Sequence, residues 1–346
     1  MQQIYAGFNA LRRKGIISIR STIKALGKRS DKHDSAGNET LRVILNDRIC
    51  IYYDVHDGGF IDEKMLEDCD LFFKRSYKKD IVDQLTNGQK VHPLGLNYFV
   101  LSDRLDPAGI RRCELNQGAL VKALYAIRYL KLDAPLSRSN LAGVRASKCQ
   151  SIPDFSSPDR VLFFVRAFPP SETFPQSYNE HLVVLNEMRA QCIRALRREF
   201  GKRFLGGFAP SAYASRMYKD CVIEKDSQRL TKKGNYLSTL KEYPICVATT
   251  GLHDSIGWKL AEYVAHSKAI VSEKLHYDLP GSFLEGENYL EFASSDSCVS
   301  QVGTLMSDTV KRNDMMLRNH AYYASHVNPE ALVLNTLLIA LSKELE

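Results

Sequence analysis

The stretch TTGLHDSIGWKLAEYVAHSKAIVSEK, residues 249–274, decides how the chain folds. An apolar run, PICVA, leads into it, and a second, AIVSEK, closes it. Between them come a glycine, a short polar turn and a segment with helical periodicity. Strand, break, helix and strand in that order make a βαβ unit, whose strands run parallel. In open parallel sheets, ligands bind beyond the carboxyl ends of the strands. PICVATT ends at that edge, and Gly251 lets the chain turn sharply there.

His253, Asp254 and Ser255 are expected at or just before the helix start, with Asp254 or Ser255 as the N-cap. Unpaired amides and the helix dipole make such a start an anion site suited to a diphosphate. Lys259 adds a positive charge one turn in. Glu262 falls about two turns from that start, roughly 10–12 Å along the axis. A carboxylate accepts two hydroxyl hydrogens, which suits a ribose diol. The same residues allow a plainer assignment, with Asp254 only a cap and Glu262 paired with Lys259 three positions earlier. Ile256, Leu260 and Val264 form the expected buried stripe, with Ser255, Lys259, Glu262 and His266 facing elsewhere.

The alternation continues on both sides. RVLFFVRAF (160–168) is a continuous apolar run of the kind buried on both faces of a parallel sheet. YNEHLVVLNEMRAQCIRALRREFG (178–201) predicts a long amphipathic helix with Leu182, Leu185, Met188, Cys192, Leu196 and Phe200 inward and Gly201 as its stop. RFLGGFA, PICVATT and NYLEF predict strands, TKKGNYLSTLKEY a helix, and residues 296–346 further helices. The first half is less regular but also α/β. It offers a helix over 3–14 with Ile4, Phe8 and Leu11 on one face, a strand at IISIRS, and a loop over 28–40. LRVILNDRICIYYDV then predicts a hairpin, followed by a short strand in DLFFKRSY, a helix near 77–86, the apolar VHPLGLNYFV, and a helix over 115–131. The proline- and serine-rich 133–159 is the candidate linker.

The chain has 346 residues with ordinary globular composition, which suggests two domains. Its eight cysteines form no C-x-x-C pair, which points to free thiols in a reducing compartment rather than structural zinc. No apolar run is long enough for a membrane span, and the first residues lack the apolar core of a signal peptide. A cytoplasmic location is therefore expected. The net charge is +7, and residues 1–40 hold eight Lys/Arg against three Asp/Glu. Such a segment suits an anionic membrane surface or substrate, or is simply solvated. Basic residues with interleaved aromatics do not cluster on one element, so nucleic acid is not an expected partner.

The DSIGWKLAEYVA segment resembles the donor-binding half of GT-B glycosyltransferases, especially the CgeB-like group described as glycosyl transferases group 1. In GT-B retaining families a helix start carries an E-x7-E pattern. Asp254 stands in the first acidic place and Glu262 in the second. The resemblance implies that Glu262 holds the nucleotide ribose and Asp254 contacts the donor sugar, with Gly251, His253, Ser255 and Lys259 around them. FFVRAF is similar to the first strand of the donor domain, which makes Arg166 a diphosphate ligand. LPGSFLEGENYL is similar to the loop that closes on the donor. The likeness covers about residues 160–335, and IYYDVHDGGFIDEKMLEDCDLFFKRSY is similar to the acceptor half.

The implied architecture is α/β and GT-B-like: two Rossmann-like domains facing a central cleft, with the C-terminal helix crossing back to the first. The domains would be 1–150 (acceptor side, shortened), 151–330 (nucleotide-sugar binding) and a terminal helix over 331–346. The implied activity moves a sugar from a nucleotide-diphosphate donor to a saccharide or lipid-linked saccharide acceptor, without metal or cofactor. A peripheral contact with the anionic inner membrane face is part of that expectation. The competing expectation is a non-catalytic nucleotide- or sugar-binding module of the same fold. YYDVHDGG ends a strand and offers the acceptor-side base, Asp57 first and His56 next, beside Asp54. Lys74 and Arg75 are expected to be solvated or to meet an anionic acceptor. The D-x-D at 68–70 precedes a strand, which disfavours a metal site.

Overall fold

The computed structural model describes residues 1–20, 40–103 and 144–343. The helix expected over 115–131, most of the loop over 28–40 and the start of the linker lie outside them. The chain divides into two compact units. The first holds Met1–Cys149, Tyr277–Gly281 and Ala324–Glu346, and the second Gln150–His276 and Ser282–Tyr323.

In the first unit, β1 (Thr40–Leu45) and β2 (Ile49–Asp54) form the hairpin around Asn46–Arg48. Asn46 and Asp47 take left-handed backbone, which these two residue types tolerate in a tight turn. β3 (Leu71–Lys74) and β4 (Val91–Pro93) continue the sheet in parallel, in the order β1-β2-β3-β4. Alternate side chains divide the core. Ile51, Tyr53, Leu71 and Phe73 meet helices Gln2–Arg13 and Pro329–Ser342 on one face. Cys50, Phe72 and Val91 meet Ile61, Leu66 and Val82 on the other. Each large side chain so buried contributes about 1.5–3 kcal/mol.

The terminal helix is held by the first unit's own sheet, since the Tyr53 hydroxyl lies 2.7 Å from Thr336 Oγ1. Gly7 lets the two helices touch: a Cβ there would overlap the Pro329 carbonyl and Val333. Gly7→Ala should therefore cost about 1–3 kcal/mol, read as a lower urea midpoint with unchanged slope. An unmoved midpoint would show that the helices do not meet at this residue. Residues 16–20 of IISIRS form no strand, and Ile16 and Ile19 are exposed. The helix near 77–86 shrinks to Lys79–Val82.

The second unit has five parallel strands: β5 (Val161–Val165), β6 (Phe204–Phe208), β7 (Ile245–Ala248), β8 (Ala269–Glu273) and β9 (Leu290–Phe292). Their order, β6-β5-β7-β8-β9, is that of a doubly wound Rossmann-like sheet. Val161, Phe163, Ile245 and Val271 pack under helices Gln176–Phe200 and Ser295–Ser307. Phe164, on the opposite face, meets Tyr236 of helix Lys233–Lys241, with ring centroids 6.2 Å apart. The apolar stripe read over 178–201 is the face that helix buries, and Gly201 ends it with positive φ. The cysteines behave as small hydrophobes, since the seven described are all free and buried.

Candidate active site

The strand order creates a switch point. From β5 the chain moves to β6 on one side, then returns to β7 on the other. The loops leaving β5 and β7 part there, and the crevice between such loops is where doubly wound sheets bind ligands. Arg166 leaves β5, and Thr249–Gly257 leaves β7.

Arg189 ties the two loops together. Its guanidinium donates to the Arg166 carbonyl at 2.7 Å, to Thr249 Oγ1 at 3.0 Å and to the Thr250 carbonyl at 2.7 Å. It also lies 5.2 Å from the Phe168 ring centre. Burial lowers its pKa to about 10, against the opposing pull of Glu273. Glu273 accepts from the Thr250 amide at 2.7 Å and its hydroxyl at 3.1 Å. Helical spacing from Leu182 and Leu185 puts Arg189 on the buried stripe, and that was the sequence signal for it.

The helix after β7 begins later than expected. It spans Trp258–Ala265 with Gly257 at its N-cap, so neither Asp254 nor Ser255 caps it. Leu252–Asp254 instead form a 3-10 turn, closed by the Gly251 amide donating to the Ser255 carbonyl at 2.7 Å. His253 and Asp254 both take left-handed backbone, at φ 57° and 55°. Non-glycine residues hold that conformation at a cost of order 1–3 kcal/mol each. Tyr178 stacks on His253 at 5.1 Å, and Asp254 stays exposed, 3.9 Å from His181 Nδ1. Ser255 is buried rather than outward. Its Oγ would sit 2.6 Å from any Cβ at Gly251, which keeps that position glycine. Thr249, Thr250, Asp254, Ser255, Gly257 and Lys274 line a small crevice here.

Glu262 lies about 6 Å along the helix from its start, not two turns. It is buried rather than outward-facing, as is His266. One carboxylate oxygen binds the Lys233 ammonium, and the other lies 3.6 Å from Lys259 Nζ. The plainer pairing at spacing three is thus present, and a second lysine joins it. Burial pushes the Glu262 carboxyl up, but the two ammonium groups outweigh that and hold it below the ordinary value. Burial and Glu262 together push the Tyr236 hydroxyl far up.

The first unit carries a second constellation, where β2 and β3 end in register with Asp54 opposite Lys74. Asp54 Oδ1 accepts from the His56 amide and from His56 Nδ1, both at 2.8 Å. Its Oδ2 accepts from Lys74 Nζ at 2.8 Å. Lys74 and Arg75 are not solvated: their exposures are 0% and 6%. Arg75 pairs with the Asp57 carboxylate, and Ser76 donates to the Asp57 carbonyl at 2.7 Å. A carboxylate can only accept, so Nδ1 of His56 carries the hydrogen, and in the neutral ring Nε2 is the basic nitrogen. The His56 side chain is 31% exposed. Such a histidine can take a proton from a hydroxyl.

The D-x-D aspartates serve the fold. Asp70 accepts from the Cys50 amide at 2.7 Å, and Asp68 closes helix Glu63–Glu67. Among the described residues, no group of His, Cys, Asp and Glu could hold a metal ion, and no helix is long and apolar enough to cross a membrane.

No protein-family profile matches the sequence, and no curated protein does. Solved glycosyltransferase structures do match. HepE of Anabaena, solved with UDP and glucose, is 13% identical over 86% of this chain and 72% of its own, at a TM-score of 0.42. The C-terminal domain of LpcC from Francisella tularensis, a glycosyl transferase group 1 family protein, is 13% identical over 53% of this chain and 97% of its own, at 0.34. TarM is 10% identical at 0.43, and the chain spans 48% of its length.

Proposed function

We propose that the chain transfers a sugar from a nucleotide-diphosphate donor to the hydroxyl of a saccharide or lipid-linked saccharide. The observation that carries this reading is the crevice at the β5/β7 switch point, which Thr249, Thr250, Asp254, Ser255 and Lys274 line beside a turn strained at two consecutive residues. Arg166 and Lys259, with the amides at the start of helix Trp258–Ala265, take the charge growing on the departing diphosphate. Asp254, His253 and Ser255 shape the sugar side of that crevice. In the first unit, His56 receives the proton of the acceptor hydroxyl. The acceptor oxygen then bonds to the anomeric carbon, and the carbon–oxygen bond to phosphate breaks with its electron pair leaving on the diphosphate. Asp57, the first candidate base, is engaged by Arg75 and serves to fix the His56 loop. The basic N-terminal segment would bring the enzyme to an anionic membrane carrying a lipid-linked acceptor.

The test is a thermal-shift screen against nucleoside diphosphates, followed by hydrolysis of nucleotide sugars by whichever pairs stabilise the protein. Stabilisation together with slow release of free sugar is expected. Tight nucleotide binding without turnover of any donor would replace this reading with the non-catalytic module. No response to any nucleotide would overturn both.

A further inference from the structure

Five residues from the part of the chain that resembles a donor domain belong to the other unit. Tyr277–Gly281 lies between His276 and Ser282, both of the second unit, yet it is part of the first. Hydrogen bonds fix it there. The Asp278 amide donates to the Tyr77 carbonyl at 2.8 Å, and the Asp278 carboxylate accepts from the Lys79 amide at 2.9 Å. That amide opens helix Lys79–Val82, whose own N-cap residue, Lys78, has no side-chain acceptor to offer it. Asp278 therefore caps the helix from far along the chain. Two positions later, Pro280 packs on Gly95, where a Cβ would stand 3.0 Å from the proline ring. Gly95 has φ 98°, a conformation that glycine takes without strain.

Tyr277 meets the loop that carries His56. The first half of that loop is tied down by charge and hydrogen bonds. Asp54 holds the His56 amide and ring, and Arg75 and Ser76 hold Asp57. Gly58 and Gly59 come next, with no side chain to anchor and the widest choice of backbone conformation. The Tyr277 ring stands against the second of them. A Cβ at Gly59 would lie 3.3 Å from Tyr277 Cε1 and 3.3 Å from Ile81 Cδ1. Both neighbours depend on the same segment: Tyr277 belongs to it, and Ile81 sits on the helix that Asp278 caps. A misplacement of about 1 Å at a reacting group can cost on the order of 10²-fold in rate. We infer that Tyr277 is a positioning residue for His56, which it holds through the glycine end of the His56–Gly59 loop. The inference rests on His56 as the base proposed above. It adds a residue that lies outside the acceptor half of the sequence.

The test uses the full chain, Tyr277→Ala, Tyr277→Phe and Gly59→Val. Hydrogen exchange is read over residues 55–60, together with kcat for sugar transfer, donor Kd and the urea midpoint. Tyr277→Ala should speed exchange over 55–60 about tenfold while β2 and β3 keep wild-type protection. It should lower kcat about 10- to 100-fold at unchanged donor Kd. Tyr277→Phe keeps the ring and should restore both. Gly59→Val pushes the ring away from the other side and should reproduce the kcat loss, so the test stands even where Tyr277→Ala folds poorly. Wild-type exchange over 55–60, or wild-type kcat, in Tyr277→Ala would overturn the inference. A lower urea midpoint as the only change marks a purely structural contact and overturns it too. A wild type that turns over no nucleotide sugar would sink the transferase reading instead, and exchange over 55–60 then decides the positioning role by itself.

Discussion

Asp54→Asn is expected to destabilise the first unit by about 3–5 kcal/mol, the cost of removing the acidic member of a buried ion pair. The group that loses its carboxylate is Lys74, fully buried at the end of β3 and 2.8 Å from Asp54 Oδ2. The asparagine carbonyl can still accept from the His56 amide and Nδ1, which turns its NH2 group toward the Lys74 ammonium, donor against donor. Lys74→Met combined with Asp54→Asn should recover most of the loss, because an apolar replacement of a buried pair is often neutral. Urea midpoints of the four proteins give the coupling directly. Losses that merely add would show that the two side chains do not depend on each other.

The same pair sets an acid limit. Burial pushes the Asp54 carboxyl up, but the His56 hydrogen bonds and the Lys74 ammonium outweigh it and hold it below the ordinary value. The folded-state value therefore lies below the unfolded one. The stability it provides is present above the ordinary carboxylate range near ~4 and disappears as pH falls through the folded value. The wild type should weaken across that window, and Asp54→Asn should lack this component of the loss.

The parallel sheet of the second unit was legible because its signals are local. Continuous apolar runs mark strands buried on both faces, and period-3.6 stripes mark the helices over them. The helix start at Trp258 was not legible. His253 and Asp254 adopt backbone that sequence gives no reason to expect, and their turn delays the helix. Glu262 shows a second limit. Spacing along one helix suggested Lys259, whereas Lys233 arrives from a different helix, and that pairing exists only once the chain has folded. The Asp54–Lys74 pair lies between these cases. Each residue ends an apolar strand run, but their register shows only when β2 and β3 lie side by side. Reading Lys74 and Arg75 as solvated failed for that reason: their partners were twenty and eighteen positions away.

The largest effect on catalysis is expected at His56. If His56 is the base, His56→Asn should lower kcat for sugar transfer by about 10²- to 10⁴-fold, the usual contribution of a positioned acid–base group. Donor affinity should stay unchanged if the proposed donor site in the second unit is right, because His56 belongs to the first. Stability should also hold, since the ring is a third exposed and Asp54 keeps Lys74 as its partner. Asp57→Asn makes the contrast. Its carboxylate is committed to Arg75, so its removal loosens the loop and should lower transfer much less. Parallel kcat and donor-Kd measurements on both variants separate the two residues. A large kcat loss in Asp57→Asn with near-normal transfer in His56→Asn would exchange their roles. Transfer assisted by a base also proceeds by direct displacement, so the anomeric configuration of the product should be inverted relative to the donor. A product of retained configuration, read by NMR in the first turnovers, would leave no proton for His56 to take in a direct attack and would remove it from the chemical step.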